Sequence, residues 1–404
     1  MEDLSFGSVA AVAAIALIAP LLVSLAPRLR VPAVVLEILL GVLVGPSLLG
    51  WVEVEVPLEV LSIIGLSFLL FLGGLELDLG SVRSQGARIV VAYGFSAALA
   101  LAAGALISII DDNDQAVFVA IALASTSLGL VVPVLRDAGA SFTPLGQLTL
   151  AASSVGEFGA VLGLALFYSE GGARIESQVF LLVAFSILVV AVAWTFTRVQ
   201  RSPRFSDTLV SQEETSSQLG VRIAMLAMSV FVALSTDLGF EAVLGAFVAG
   251  ALLRITDPDE RLTHARLRSK LDAIGYGFLV PAFFVTTGIQ LDMEALFADP
   301  SSLVLVPILL VAFLIVRGVP ALLYRGLRTR AETAAVGLLQ ATTLSVPVVA
   351  ARVGVELGTI DSDTAAAIVV AGLLTVVLFP PIALTMLGRA TETAGPATRH
   401  DDEG

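Results

Sequence analysis

The chain alternates long apolar runs with short polar connections. Each run is about twenty residues long, which is the length a helix needs to cross the hydrocarbon core of a bilayer. The two longer polar stretches, 200–216 and 256–270, are interpreted as loops of one bundle because apolar runs continue after both. The pattern predicts an all-α polytopic membrane protein of about thirteen transmembrane helices, which lie near 7–27, 31–50, 58–77, 87–110, 115–137, 144–170, 177–199, 217–237, 240–255, 271–291, 301–325, 331–354 and 363–388.

The distribution of basic residues supports this number of spans. With the N-terminus outside, nearly all of the 22 Lys and Arg residues fall in internal loops, as the positive-inside rule requires. The acidic start, Met1–Leu4, lacks the basic region of a signal peptide, so the first run is interpreted as a retained helix. The sequence therefore predicts a plasma (inner cell) membrane protein with a cytoplasmic C-terminus, a transmembrane domain over 1–390 and a short disordered tail over 391–404.

Composition excludes several kinds of function. Hydrophobic residues make up 57% of the chain and charged residues 14%, and the mean hydropathy is +0.96, values typical of a membrane protein. There is no Cys, and the two His residues, His264 and His400, fall in a loop and in the tail, so no resident metal site is expected. The net charge of −13 discourages nucleic-acid binding, and no Walker or G-x-G-x-x-G pattern indicates a nucleotide. We therefore expect no cofactor and no enzymatic activity.

Two hydroxyl-rich segments predict interrupted helices. ASTSLGLVVP at 124–133 and ATTLSVP at 341–347 occupy corresponding places seven spans apart, so they cross the membrane in opposite directions. This is the arrangement of an inverted repeat, in which paired broken helices indicate the binding site. We predict helix breaks at Gly129, Pro133 and Pro347; ordinary proline kinks packed by small residues are the alternative. The candidate ion ligands are the hydroxyls of Ser125, Thr126, Ser127, Thr342, Thr343 and Ser345.

Glu157 is the acidic residue nearest the middle of a span. An ionisable group at mid-bilayer costs about 2.5–3.5 kcal/mol on insertion scales, so it usually faces the interior of the bundle. A neutral carboxylate holds H⁺, whereas an ionised one coordinates Na⁺ or K⁺ with nearby oxygens, and the two states exclude each other. Glu157 is thus predicted to carry both proton and cation, with Ser153 and Ser154 as further candidate ligands; a glutamate that only packs is the alternative.

Two other charged residues fall inside spans. Arg317 needs a partner there, either Glu157 or the carbonyl end of an interrupted helix, and a purely structural counter-charge is the alternative. Glu37 is a secondary candidate, for which snorkelling or an interhelical hydrogen bond is the expected role.

Four motifs in order resemble the monovalent cation:proton antiporter-2 family, the Kef-type and Na⁺/H⁺ exchanger-like transporters. The motifs are PAVVLEILLGVLVGP at 32–46, LLFLGGLELD at 69–78, LGAFVAG at 244–250 and PAFFVTTGIQLD at 281–292. The resemblance, from about residue 10 to residue 390, implies a thirteen-helix inverted-repeat bundle with two crossed broken helices. It also implies a core that slides against a dimerising panel, and alternating-access exchange of a monovalent cation for H⁺.

The chain departs from the family at its central position. The family usually has Asp after Asn, Asp or Gln, where this chain has Gly156 and Glu157. One carboxylate that exchanges one H⁺ for one Na⁺ or K⁺ predicts electroneutral transport, and an uncoupled cation permease or channel of the same fold is the alternative. The nucleotide-sensing domain of Kef-type members has no counterpart in this sequence, so regulation is expected from a separate cytoplasmic subunit.

Overall fold

The computed structural model describes residues 6–25, 32–76, 79–111, 116–137, 139–140, 143–167, 175–200, 218–240, 242–256, 265–298, 300–327 and 329–393. Within these ranges the regular structure is entirely helical. The predicted loop residues 201–216 and 257–264, and the predicted tail from 394 onward, lie outside the described residues. Residues 391–393 continue the last helix instead of beginning the tail.

The helices follow one another with short connections. They are α1 Gly7–Leu25, α2 Ala33–Val44, α3 Val56–Leu75, α4 Leu79–Asp111, α5 Ala116–Ala124, α6 Leu128–Asp137, α7 Pro144–Phe167, α8 Ile175–Gln200, α9 Leu219–Asp237, α10 Ala242–Thr256, α11 Ala265–Ile274, α12 Val280–Gln290, α13 Met293–Ala298, α14 Pro300–Phe313, α15 Arg330–Gln340, α16 Ser345–Glu356 and α17 Ser362–Thr393. A π-helical turn, Gly275–Leu279, joins α11 to α12, and another, Leu314–Gly318, follows α14 and leads into the 3₁₀ segment Val319–Leu327.

A helix occupies each of the thirteen predicted spans. Among the described residues, nine helices are long and apolar enough to cross a membrane, and four of the predicted spans hold shorter apolar helices. The shorter helices are 33–44, 116–132, 179–192 and 242–256. The predicted fold class is therefore confirmed.

Glycines bring the helices of a first layer, α1–α3 and α9–α12, into close contact. A Cβ at Gly74 would overlap the α10 backbone, and one at Gly250 would overlap the α3 backbone. Gly41 and Gly288 play the same reciprocal part between α2 and α12. Small residues allow such close approach in membrane bundles, where van der Waals packing drives association.

The second layer consists of α4–α7 and α14–α17. Its helices pack mainly on one another, α4 on α5 and α7, and α17 on α14, α15 and α16. The two layers meet along a narrower seam, where α3 and α10 contact α6 and α7. The rings of Phe158 on α7 and Phe247 on α10 stack across this seam, with centroids 5.6 Å apart.

Candidate functional site

The two predicted helix interruptions are present and face each other. Residues 125–127 separate α5 from α6, and residues 341–344 separate α15 from α16. The prediction that Gly129, Pro133 and Pro347 form the breaks is wrong, because all three lie in the helices that follow. Pro347 is the third residue of α16, in the first turn, where helices tolerate a missing N–H. The unwound residues are mainly the hydroxyl residues themselves, whose side chains compete with the backbone for hydrogen bonds.

Ser127 lies in the break between α5 and α6 and caps α16, the helix that follows the other break. Its hydroxyl oxygen accepts hydrogen bonds from the N–H groups of Leu344 at 2.8 Å and Ser345 at 3.1 Å. Its own N–H donates to the Thr342 carbonyl at 3.1 Å, and its hydroxyl also meets the Ser345 hydroxyl at 2.8 Å. Amides that α16 cannot satisfy internally are thus satisfied by the crossing chain.

A second set of hydroxyls joins the breaks on the other side of Ser127. Ser125 and Thr343 share a 2.7 Å hydrogen bond between their hydroxyls. Thr375 of α17 accepts from the Thr343 N–H at 3.0 Å and donates to the Thr343 carbonyl at 2.9 Å. All three residues are fully buried, so the unwound backbone is held by protein groups away from lipid.

The Glu157 carboxylate lies at the first break, beside the backbone amide that begins α6. It is 3% exposed, and its Oε2 accepts a hydrogen bond from the N–H of Leu128, the first residue of α6, at 3.0 Å. The N-terminus of a helix carries partial positive charge and suits an anion. On its other side, a Cβ at Gly73 of α3 would lie 3.5 Å from the same oxygen. Glu157 therefore faces the seam between the two layers.

Arg317 does not pair with Glu157, which corrects one of its two predicted partnerships. The guanidinium is 1% exposed, and no ion pair joins it to a carboxylate among the described residues. Its Nε donates to the Thr126 hydroxyl at 2.9 Å and its Nη1 to the Ser96 hydroxyl at 3.2 Å. The ring of Tyr93 lies 5.5 Å from the guanidinium carbon, and Nη2 has no hydrogen-bond partner.

The other predicted partner, the carbonyl end of a half-helix, is reached through Thr126. The Thr126 hydroxyl donates to the carbonyl of Gln340, the last residue of α15, at 2.6 Å. A cation near the C-terminal end of a helix is favourable. A Cβ at Gly156 would overlap Arg317 Nη2, so the missing side chain at position 156 leaves room for the guanidinium.

The remaining candidates differ in how their polar groups are used. Ser153, one turn before Glu157 on α7, is fully buried and its hydroxyl has no partner. Ser154 donates to a carbonyl of its own helix at 2.9 Å, and Thr342, in the second break, donates to the Leu338 carbonyl of α15 at 3.0 Å. Glu37 is 4% exposed, so its side chain does not snorkel to the membrane surface. Its Oε2 has no hydrogen-bond partner.

Sequence reasoning missed four residues of this region, namely Tyr93, Ser96, Tyr276 and Thr375. Tyr93 and Ser96 are polar residues three apart on α4, a spacing that places them on one helix face and was a usable signal. Thr375 is an isolated polar residue in an apolar helix, and Tyr276 follows Arg268 and Asp272 at four-residue spacing. Nothing in their local sequence shows that they face the breaks.

Two interrupted helices that meet, with a buried carboxylate at one break, are the arrangement that typically marks the binding site of a secondary transporter. The chain belongs to the sodium/hydrogen exchanger family, whose transmembrane region it matches over residues 13–387. The predicted resemblance is thereby confirmed.

Individual relatives agree with this membership. YjbQ of Bacillus subtilis (strain 168), provisionally named an Na(+)/H(+) antiporter, is 30% identical over 97% of this chain, which spans 64% of that relative's length. The Na(+)/H(+)-K(+) antiporter GerN of Bacillus cereus is 26% identical over 89% of this chain and 90% of its own. The solved structure of the sodium proton antiporter MjNhaP1 from Methanocaldococcus jannaschii at pH 8 superposes with a TM-score of 0.64 at 17% identity, covering 94% of this chain and 99% of that one. This structural likeness concerns the fold.

Proposed function

We propose that the chain exchanges a monovalent cation, Na⁺ or K⁺, for H⁺, with Glu157 as the carboxylate that carries both. The observation that supports this most is the position of Glu157, buried at the seam and bound to the first amide of α6. An isolated buried carboxylate is costly, so such groups in membrane proteins usually serve transport. The unpartnered Ser153 hydroxyl, one turn away, supplies a further oxygen for a dehydrated cation.

Exchange follows because one carboxylate cannot hold a proton and a cation together. The protonated group is neutral, and the cation-bound group is neutral as a pair, so both loaded forms cross the low-dielectric interior at similar cost. The ionised empty form carries a bare charge and is therefore the state least able to move. This difference couples the two fluxes.

The proposed exchange is electroneutral, one H⁺ for one cation. Arg317 supports this stoichiometry because its hydrogen bonds go to Thr126 and Ser96, not to Glu157. Cation binding at Glu157 therefore displaces no internal ion pair and releases no second proton from one. Whether Na⁺ or K⁺ is carried is left to measurement.

Alternating access is proposed to occur by movement of the second layer against the first. Glu157 lies at the seam, where contacts between layers are fewer than within each layer. The remaining features of the proposal are a homodimer formed through the first layer, a plasma-membrane location with the N-terminus outside and the C-terminus cytoplasmic, and regulation by a separate cytoplasmic subunit.

Reconstitution into liposomes tests the proposed function. A Na⁺ or K⁺ gradient is imposed, internal pH is followed with a dye, and the membrane potential is clamped. A cation-driven pH change that persists under the clamp is expected. A cation flux that proceeds without proton movement would instead identify an uncoupled permease.

A further inference from the structure

A stripe of polar side chains on α11 and the π-helical turn after it leads from the start of α11 toward Glu157. Arg268, Asp272 and Tyr276 recur at every fourth residue, which places them along one side of the helix. The π-helical turn that contains Tyr276 lies against α3, since a Cβ at Gly275 would overlap Phe68 and Leu72. Polar residues inside a membrane bundle often mark an ion pathway.

Tyr276 brings this stripe to the carboxylate site. Its hydroxyl oxygen is buried and has no hydrogen-bond partner. It lies 3.4 Å from the position a Cβ would take at Gly129, the residue after the Leu128 amide that holds Glu157. The spacing of the stripe places Tyr276 on the side of the helix from which Arg268 reaches Glu76. A buried hydroxyl with no partner is costly, so a ligand that occupies it would be stabilised.

Glu76 faces the same stripe from α3. It follows α3 directly, one helical turn beyond Gly73, which contacts the Glu157 carboxylate. Its side chain is 8% exposed, and its Oε1 lies 3.7 Å from Nη2 of Arg268, which is 36% exposed. A long ion pair with a half-exposed arginine contributes little stability and is easily exchanged for another cation.

A cavity lies beside the ion pair of Glu76 and Arg268. It is lined by Leu75, Leu253, Leu267 and Leu271, together with Arg254 and Arg268. Leu75 precedes Glu76 and Arg268 contacts Glu76, so the cavity lies beside Glu76, on the side where α10 ends and α11 begins.

We propose that Glu76 and the Tyr276 hydroxyl form a second binding position for the transported monovalent cation. The position lies between Glu157 and the face of the protein where α10 ends and α11 begins, called the α10–α11 face, and Arg268 pairs with Glu76 when no cation is present. The proposal rests on the proposed exchange function and assigns one side of its pathway.

The test measures the KM for Na⁺ and for K⁺ on each face separately, in vesicles of known orientation. Glu76→Gln raises the KM on the α10–α11 face about tenfold, the effect of losing about 1.4 kcal/mol of cation binding. The KM on the opposite face stays within about twofold of that of the unchanged protein. Tyr276→Phe raises the same KM about threefold, because it removes one neutral ligand. Glu76→Asp restores a low KM, and Glu59→Gln, at the exposed other end of α3, is the matched control and changes neither KM.

Arg268→Gln is an independent test. It removes the arginine that competes with the cation for Glu76, so the KM on the α10–α11 face is expected to fall. An unchanged KM in both Glu76→Gln and Arg268→Gln, or an equal rise on both faces in Glu76→Gln, overturns the second position while leaving exchange through Glu157 intact. If the unchanged protein exchanges no cation for protons, the proposed function itself fails. The second position is then decided by the cation-dependent rise in melting temperature, which Glu76→Gln must reduce.

Discussion

The Arg317 guanidinium lies where a side chain at position 156 would be. This contact is at the central position where the chain departs from its family. A guanidinium that is 1% exposed needs compensation, which it receives from two hydroxyls, an aromatic ring and the carbonyl end of α15 behind Thr126. The absent side chain at Gly156 gives Nη2 its room. We therefore propose that Arg317 is a structural charge that supports the break between α5 and α6.

Adding a methyl group at position 156 should disturb this arrangement. In Gly156→Ala the new Cβ displaces Nη2, and the strain lowers the free energy of unfolding by about 1–3 kcal/mol. The measurement is the melting temperature of the purified protein in detergent. Gly94→Ala is the control, because nothing lies within 4 Å of a Cβ there. Equal melting temperatures for the two variants would show that the guanidinium moves aside without cost.

Removing the charge should affect stability more than stoichiometry. Arg317→Ala loses two hydrogen bonds to a charged group, each contributing about 1.5–3 kcal/mol, so expression and melting temperature fall. The charge moved per turnover stays at zero, so the exchange rate does not change when a membrane potential is imposed. Arg222→Ala removes an exposed arginine of α9 and serves as the control. A stable Arg317→Ala protein with altered charge per turnover would contradict the structural role.

The interrupted helices stabilise one another as a pair of elements. Each break supplies what the other lacks: Ser127 caps α16, and the Gln340 carbonyl that ends α15 accepts from Thr126. In lipid no water replaces these bonds, so the crossing holds only while both breaks are intact.

Loss of the Ser127 hydroxyl should therefore weaken both elements. Ser127→Ala leaves the amides of Leu344 and Ser345 without their acceptor, at about 1–3 kcal/mol for each buried donor. A lower melting temperature is expected. Ser186→Ala is the matched control, since that exposed hydroxyl bonds only within its own helix and its loss changes stability by less than about 0.5 kcal/mol. Indistinguishable melting curves for the two alanine variants would refute the capping role.

The spans, the two breaks and the buried Glu157 could be predicted because each depends on local sequence. Apolar runs of bilayer length predict helices, and hydroxyl clusters predict where they unwind. The partner of Arg317 could not be predicted, because it depends on which faces of α4, α6 and α7 meet. Thr375 was missed for the same reason, since a single polar residue in an apolar helix does not reveal what it faces. The four-residue spacing of Tyr276 from Asp272 likewise does not show which helices that side of the chain meets.

Across the whole molecule, two layers meet at a seam that contains Glu157. Reciprocal glycine contacts fix α3 against α10 and α2 against α12 inside the first layer. Across the seam, the rings of Phe158 and Phe247 stack on one another. Tightly packed layers joined by a looser seam suit rigid-body movement of one layer against the other.

Crosslinking the seam should stop transport. The chain contains no Cys, so Phe158→Cys with Phe247→Cys provides a unique pair for a short cleavable thiol crosslinker. Exchange is expected to stop on crosslinking and to return on cleavage. The control pair, Ser302→Cys with Asp363→Cys, links α14 to α17 within the second layer, where the two side chains lie 2.5 Å apart. Undiminished exchange across a crosslinked seam would exclude movement of the layers there.

The most direct test of the central claim is cation-driven proton exchange by Glu157→Gln in liposomes at clamped membrane potential. Glutamine keeps the size of the side chain but neither releases a proton nor carries the charge that binds a cation, so no exchange above that of protein-free liposomes is expected. Glu157→Asp should retain exchange, and Glu37→Gln, which removes another buried carboxylate, should exchange at the rate of the unchanged protein. Exchange by a folded Glu157→Gln protein at that same rate would contradict the account.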